Sequence, residues 1–150
     1  MSDPDLGALT ALRRLRHVET DAARRDIGDA LARETALAER DGAVRRELDA
    51  ARQLTGDFDR EAFIAWFRQK LTERAQLADA TREAEANTAA ARTTLARRRV
   101  AETAAEEALA TAITAREAVV ARREQVMLED VSRALKRASV RNQKSGDVPD

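Results

Sequence analysis

Few side chains in this chain could take part in bond-making chemistry. The one imidazole is His17, set between Arg16 and Val18, and there is no Cys and no Tyr. A single His excludes a His-based metal cluster and argues against a His-centred triad, so His17 reads as a surface or seam residue. Without thiols there is no disulfide scaffold, no thiolate metal site and no cysteine nucleophile. The 27 Asp plus Glu residues form no pair on a face that a pocket could enclose, and no glycine-rich phosphate loop occurs. The sequence therefore predicts no enzyme, no cofactor and no metal site. What remains are side chains suited to binding. All four aromatics, Phe58, Phe63, Trp66 and Phe67, fall within ten residues. They read either as a plug closing the end of a helix pair or as exposed anchors for a partner, since aromatic rings supply much interface energy. Composition favours the plug, with at least one ring left exposed. Basic groups gather at Arg97, Arg98 and Arg99, and again at Arg133, Lys136, Arg137, Arg141 and Lys144. They read chiefly as a solvated helix face near a helix C-terminus, and secondarily as a docking surface for an acidic protein.

The elements that must position these residues are long helices. Of 150 residues, 33 are Ala and 24 are Arg. Such a chain cannot fill an ordinary core with large side chains, and its composition points to helices packed in pairs. No proline lies between Asp5 and Gly146, and a helix-interior proline costs about 3 kcal/mol. Asp3 and Pro4 suit an N-cap and first helical residue. The first helix is predicted over about 4–53, with Gly28 and Gly42 marking bends or close approach of a second helix. Leu54-Thr55-Gly56-Asp57-Phe58 is the one strong break: Gly56 can end a helix in the left-handed conformation, and Asp57 or Asp59 can cap the next. The second helix is predicted over about 59–141, followed by a flexible tail at 142–150. A short turn makes the two helices antiparallel neighbours. The expected fold is all-α, one antiparallel coiled-coil hairpin with unequal arms.

Every seventh residue from Phe63 reads Phe63, Lys70, Leu77, Ala84, Ala91, Arg98, Ala105, Ala112, Val119, Val126. The partner row reads Phe67, Arg74, Thr81, Thr88, Leu95, Glu102, Leu109, Arg116, Arg123. Seams of this period supercoil, and Ala along this one predicts close backbones with modest burial. In the first helix, Leu9, Leu12, Leu15 and Ala22 give way to a 3-4 spacing of Ile27, Ala30, Glu34, Leu37, Asp41, Val44, Leu48 and Ala51. A competing reading breaks the second helix at Asn87-Thr88 into a three-helix bundle. Folding about Gly56 pairs residue 5 with roughly residue 107 and leaves about 108–141 as a single helix. Its stripe of Ile113, Val119, Val120, Val126, Met127, Leu128, Val131 and Leu135 must meet a partner or a second copy.

Charge and hydropathy narrow the setting. The formal net charge is zero, from 27 basic and 27 acidic groups, which argues against a nucleic-acid binder. A rod bridging nucleic acid through its basic clusters is the weakest of the functional readings. No apolar run approaches the length of a membrane span, and Met1-Ser2-Asp3-Pro4-Asp5 lacks the apolar core of a secretory signal. The expected compartment is the cytoplasm.

The opening Leu9-Thr10-Ala11-Leu12-Arg13-Arg14-Leu15-Arg16, with Glu19 and Ala22-Ala23, resembles the start of FliJ/YscO-type proteins, small helical hairpins of flagellar and virulence type III export systems. Phe63-Ile64-Ala65-Trp66-Phe67-Arg68-Gln69-Lys70-Leu71 resembles the opening of their second helix. Arg122-Arg123-Glu124-Gln125-Val126-Met127-Leu128-Glu129-Asp130 resembles their C-terminal segment. The resemblance implies a non-enzymatic stalk at the cytoplasmic face of an export apparatus. It would link the export ATPase ring to the export gate, touching the membrane only through those partners, and export chaperones are further possible partners. The family's gate-contacting stripe falls here on Phe63 and Phe67, then on Lys70 and Arg74, where the family has a small and a weakly basic side chain. This shifts Phe63 and Phe67 from plug towards anchor, with Trp66 as an additional anchor. Val119, Val126, Arg133, Lys136 and Arg137 become candidate contacts for the ATPase or another partner. The other reading is a generic coiled-coil adaptor or export chaperone that self-associates or binds partner helices.

Overall fold

The structure, a computed structural model, describes residues 3–145, with side chains described for residues 6–142. Two helices account for nearly all of it: α1 (Asp3–Arg52) and α2 (Arg60–Ser145). α2 passes through Asn87 and Thr88 without a break, so the three-helix alternative is set aside. Here the frame of seam residues continues unbroken, and it outweighs the mediocre helix propensity of Asn and Thr. The helix also continues four residues past the expected limit of 141. The rest of the expected tail, 146–150, lies outside the described residues, as does the capping role given to the Asp3 side chain.

Residues 53–59 connect the helices. α1 ends on tightened turns, with Gln53 N–H donating to the Ala50 carbonyl at 3.1 Å and Leu54 N–H to Ala51 at 3.3 Å. Gly56 has a φ of 145°, a value that favours glycine. It sits four residues beyond the end of α1, so it bends the connection and does not cap the helix. Asp59 caps α2: its Oδ1 accepts from the Glu61 N–H at 2.9 Å and the Ala62 N–H at 3.2 Å. A Cβ at Gly28 would meet nothing within 4 Å, and one at Gly42 only Arg46 of its own helix at 3.5 Å. Neither glycine therefore marks an approach of α2.

The contacts divide the chain into two units. One is Arg14–Thr103, and the other combines Met1–Arg13 with Ala104–Asp150. Within Arg14–Thr103 the helices form an antiparallel hairpin. The seam follows the sevenfold rows: every row member from Phe63 to Glu102 is at least half-buried, with Ala84 and Thr88 fully so. Opposite them lie Arg16, Thr20, Ala23, Ile27, Ala30, Glu34, Leu37, Asp41, Val44, Leu48 and Ala51. The 3-4 frame thus extends N-terminally through polar positions. Leu12 and Leu15, 37% and 54% exposed, lie off it. Only Val44 and Leu48 are buried side chains larger than Ala among the apolar core residues of this unit. Thr20 satisfies its hydroxyl on the Arg16 carbonyl at 3.0 Å, whereas the buried Thr88 hydroxyl has no protein partner.

The pairing register differs from a symmetric fold about Gly56. Arg98 meets Glu19 at 3.0 Å and His17 meets Glu102 at 2.7 Å, where a symmetric fold sets residues 93 and 95 opposite Glu19 and His17, a displacement of about one and a half to two helical turns. The seven-residue connection reaches past the end of α1 before α2 begins, and this produces the offset.

In the second unit, Leu6, Leu9 and Thr10 are half-buried on the α1 segment, and Leu109, Ala105 and Ala112 are sheltered on α2. All residues from 113 to 142 are exposed. The exposed stretch therefore starts at Ile113, about five residues later than a symmetric fold gives.

Candidate functional site

Two features stand out, one in each unit. In Arg14–Thr103, the start of α2 carries the aromatic group. Phe63 is its centre: its ring centroid lies 5.2 Å from Phe58, 6.1 Å from Trp66 and 6.0 Å from Phe67. Such tilted and offset geometries are favourable for aromatic pairs. Phe63, Trp66 and Phe67 are half-buried, and Phe58 is 49% exposed. Phe58, Phe63 and Trp66, with Ala51 and Leu54, line an open hollow of about 740 Å³, to which Glu47, Asp57 and Asp59 also contribute. The hollow can accept an apolar side chain.

One turn further along α2, the seam becomes ionic. Lys70 Nζ reaches Glu47 at 2.5 Å across the hairpin and Glu73 at 3.2 Å along its own helix. The hydrogen bond to Glu47, then that to Glu73, holds the ammonium above the usual lysine range. Glu73 accepts from Arg40 Nε at 2.8 Å, and this bond, reinforced by Lys70, holds its carboxyl below the usual range against the opposing effect of burial. Arg74 lies 3.8 Å from Asp41. Phe63, Phe67, Lys70 and Arg74 thus share one edge of α2, and that edge faces α1. Only their exposed margins are open to an outside partner.

At the other end of this unit, His17 bridges the helices. Its Nδ1 lies 2.7 Å from Glu102 Oε1 and its Nε2 lies 3.4 Å from Asp21. The hydrogen bond to Glu102, with the charge of Asp21, raises the imidazole above its ordinary range. Glu102 is lowered by His17 first and by Thr20 second. The sequence places Glu102 in the seam but gives no sign that His17 would meet it, because the pairing depends on the register offset. The raised imidazole contributes stability fully at acidic pH and loses it as pH rises through its folded value. The lowered Glu102 contributes at neutral pH and loses its part as pH falls through its folded value. The pair is therefore strongest between the two. NMR titration is expected to give His17 a value above that of a model peptide, and Glu102→Gln should bring it down. An unchanged value in Glu102→Gln would remove the bridge.

In the second unit, Val119 and Val126 are 48% and 51% exposed, and Arg133 pairs along its helix with Asp130 at 3.5 Å and Glu129 at 3.6 Å. Lys136, Arg137 and Arg141 are exposed. Of the triple arginine in the first unit, Arg98 is committed to Glu19 while Arg97 and Arg99 are exposed.

Among the described residues no group of three or more His, Cys, Asp or Glu could hold a metal ion. No helix among them is long and apolar enough to cross a membrane. Comparison with known proteins gives no match to a family model, to a curated protein or to a solved structure.

Proposed function

We propose that this chain is a non-enzymatic coiled-coil stalk of a type III export system, cytoplasmic, linking the export ATPase ring to the export gate. The observation that carries the reading is the division of α2. Its first part is paired in a hairpin, whereas residues 113–142 lie exposed with large apolar side chains among them. A helix exposed over that length gains by meeting another protein. The sequence resemblance supplies the export setting, with Phe63, Phe67, Lys70 and Arg74 towards the gate. Val119, Val126, Arg133, Lys136 and Arg137 are assigned towards the ATPase or another partner.

Pulldown of the folded chain with the export ATPase and with the cytoplasmic domain of the gate tests this. Retention of both is the expected result, and retention of neither removes the stalk. The second reading, a general adaptor or export chaperone, is favoured by the same exposed apolar residues and would show instead as binding to helices outside the export apparatus.

A further inference from the structure

Past Ala112 only one row of the seam stays apolar, as Val119 and Val126, and a second apolar stripe opens beside it. Up to Ala112 the sheltered residues follow the rows of Phe63 and Phe67. Beyond it, the row of Leu109 becomes Arg116, Arg123, Asp130 and Arg137. A further apolar line runs one residue on, through Ile113, Val120, Met127, Val131, Ala134 and Ala138, and Leu128 and Leu135 widen the face. One residue is about 100° round a helix. Since α2 is continuous there, this second stripe points away from the side that meets the start of α1. Its 3-4 spacing is that of a coiled-coil seam in its own right, with Glu117 and Glu124 at two of its positions.

We propose that this stripe is a seam for a second copy of the chain, packed antiparallel over residues 113–138. Charge fixes both partner and direction. A parallel pair would set Glu117 against Glu117 and Glu124 against Glu124 in the seam, and like charges there are unfavourable. An antiparallel pair with Val120 opposite Val131 of the other copy places Ile113 against Ala138, Glu117 against Ala134 and Glu124 against Met127. In the same register Arg123 flanks Asp130 of the other copy, and two-fold symmetry repeats the pair. Glu117 comes within reach of Arg137 of the other copy. Asp130 is held only by its exposed pairing with Arg133 at 3.5 Å, and such a surface pair is weak enough to be shared. An acidic helix from another protein would meet Glu117, Glu124 and Asp130 as like charges. The same register brings Arg116 beside Arg137 of the other copy, a like-charge contact that Glu117 next to them offsets, so the complementary pairs of this mixed-sign face are Arg123 with Asp130 and Glu117 with Arg137. Val119 and Val126 lie outside this seam and stay accessible in the dimer.

The inference stands apart from the export reading, because the chain by itself decides it. Light scattering of the full chain through a dilution series should show a mass near twice 16.6 kDa that falls to 16.6 kDa on dilution. Asp130→Arg should shift this to monomer at every concentration, with helicity kept, and the double change Arg123→Asp with Asp130→Arg should restore the dimer. The chain has no cysteine, so single thiols report direction. Val120→Cys mixed with Val131→Cys should join through a short thiol-specific cross-linker, whereas Val120→Cys alone should not. A mass of 16.6 kDa throughout, no rescue by the double charge reversal, or cross-linking of Val120→Cys to itself would each overturn the proposal.

Discussion

Leu48→Ala is expected to destabilise the hairpin by about 2–5 kcal/mol, lowering the melting temperature by about 10 °C. Leu48 is 2% exposed and Val44 0%, and the other buried apolar residues, Ala23, Ala51, Ala84, Ala105 and Ala112, are all alanines. Burial of apolar area therefore rests on very few side chains. Removing one of the two large ones leaves a cavity between helices whose other fully buried side chains are alanine and threonine, which cannot expand to fill it. Leu71→Ala is the matched control, since Leu71 is 44% exposed and the change loses little at an open surface. Thermal unfolding followed by circular dichroism distinguishes them. Equal losses in the two variants would mean that Leu48 does not anchor the pair.

Phe63→Ala should be the second large effect. Its ring touches Phe58, Trp66 and Phe67, so its removal loosens all four aromatics together. A fully buried Phe→Ala costs about 3–5 kcal/mol, and for a half-buried ring about 2 kcal/mol is expected. Trp66 is the only tryptophan, so its fluorescence reports the change locally while helicity reports it globally. The double variant Phe63→Ala with Phe67→Ala separates the two roles weighed for these rings. A plug predicts a sharp fall in melting temperature. Anchors alone predict unchanged stability with loss of gate binding. The half-buried placement against α1 favours the first outcome.

Much of this architecture was legible from spacing. The rows of Phe63 and Phe67 name the sheltered face of α2 up to Ala112, and the frame from Ile27 to Ala51 names that of α1. These readings succeed because a sevenfold repeat leaves one helix face little choice of neighbour. The N-terminal half of α1 was harder to read. There Leu12 and Leu15 drew attention by their size, yet the sheltered positions are Arg16 and Thr20. A polar residue enters a seam when the frame carries it there, and hydrophobicity alone then misleads. Gly56 suggested a helix cap, but the capping falls to tightened backbone turns on one side and to Asp59 on the other. The ionic partners Lys70–Glu47 and His17–Glu102 depend on how the helices are offset along each other. That offset is set by the path of the connection, which composition and periodicity leave undetermined. The aromatic group was recognisable as a cluster from its ten-residue span, but its inward placement required the geometry.

The uneven distribution of large buried side chains has a consequence for how this hairpin forms. Val44 and Leu48 lie near the connection, where contacts join residues close in sequence. The His17–Glu102 bridge, by contrast, closes a separation of 85 residues. Loop-closure entropy increases with that separation, so the strongest packing coincides with the least costly closure. The helices of this unit are therefore expected to zip from the turn outwards. The expected order is closure at the aromatic end first, with the alanine and threonine layers following as the separation to be closed grows.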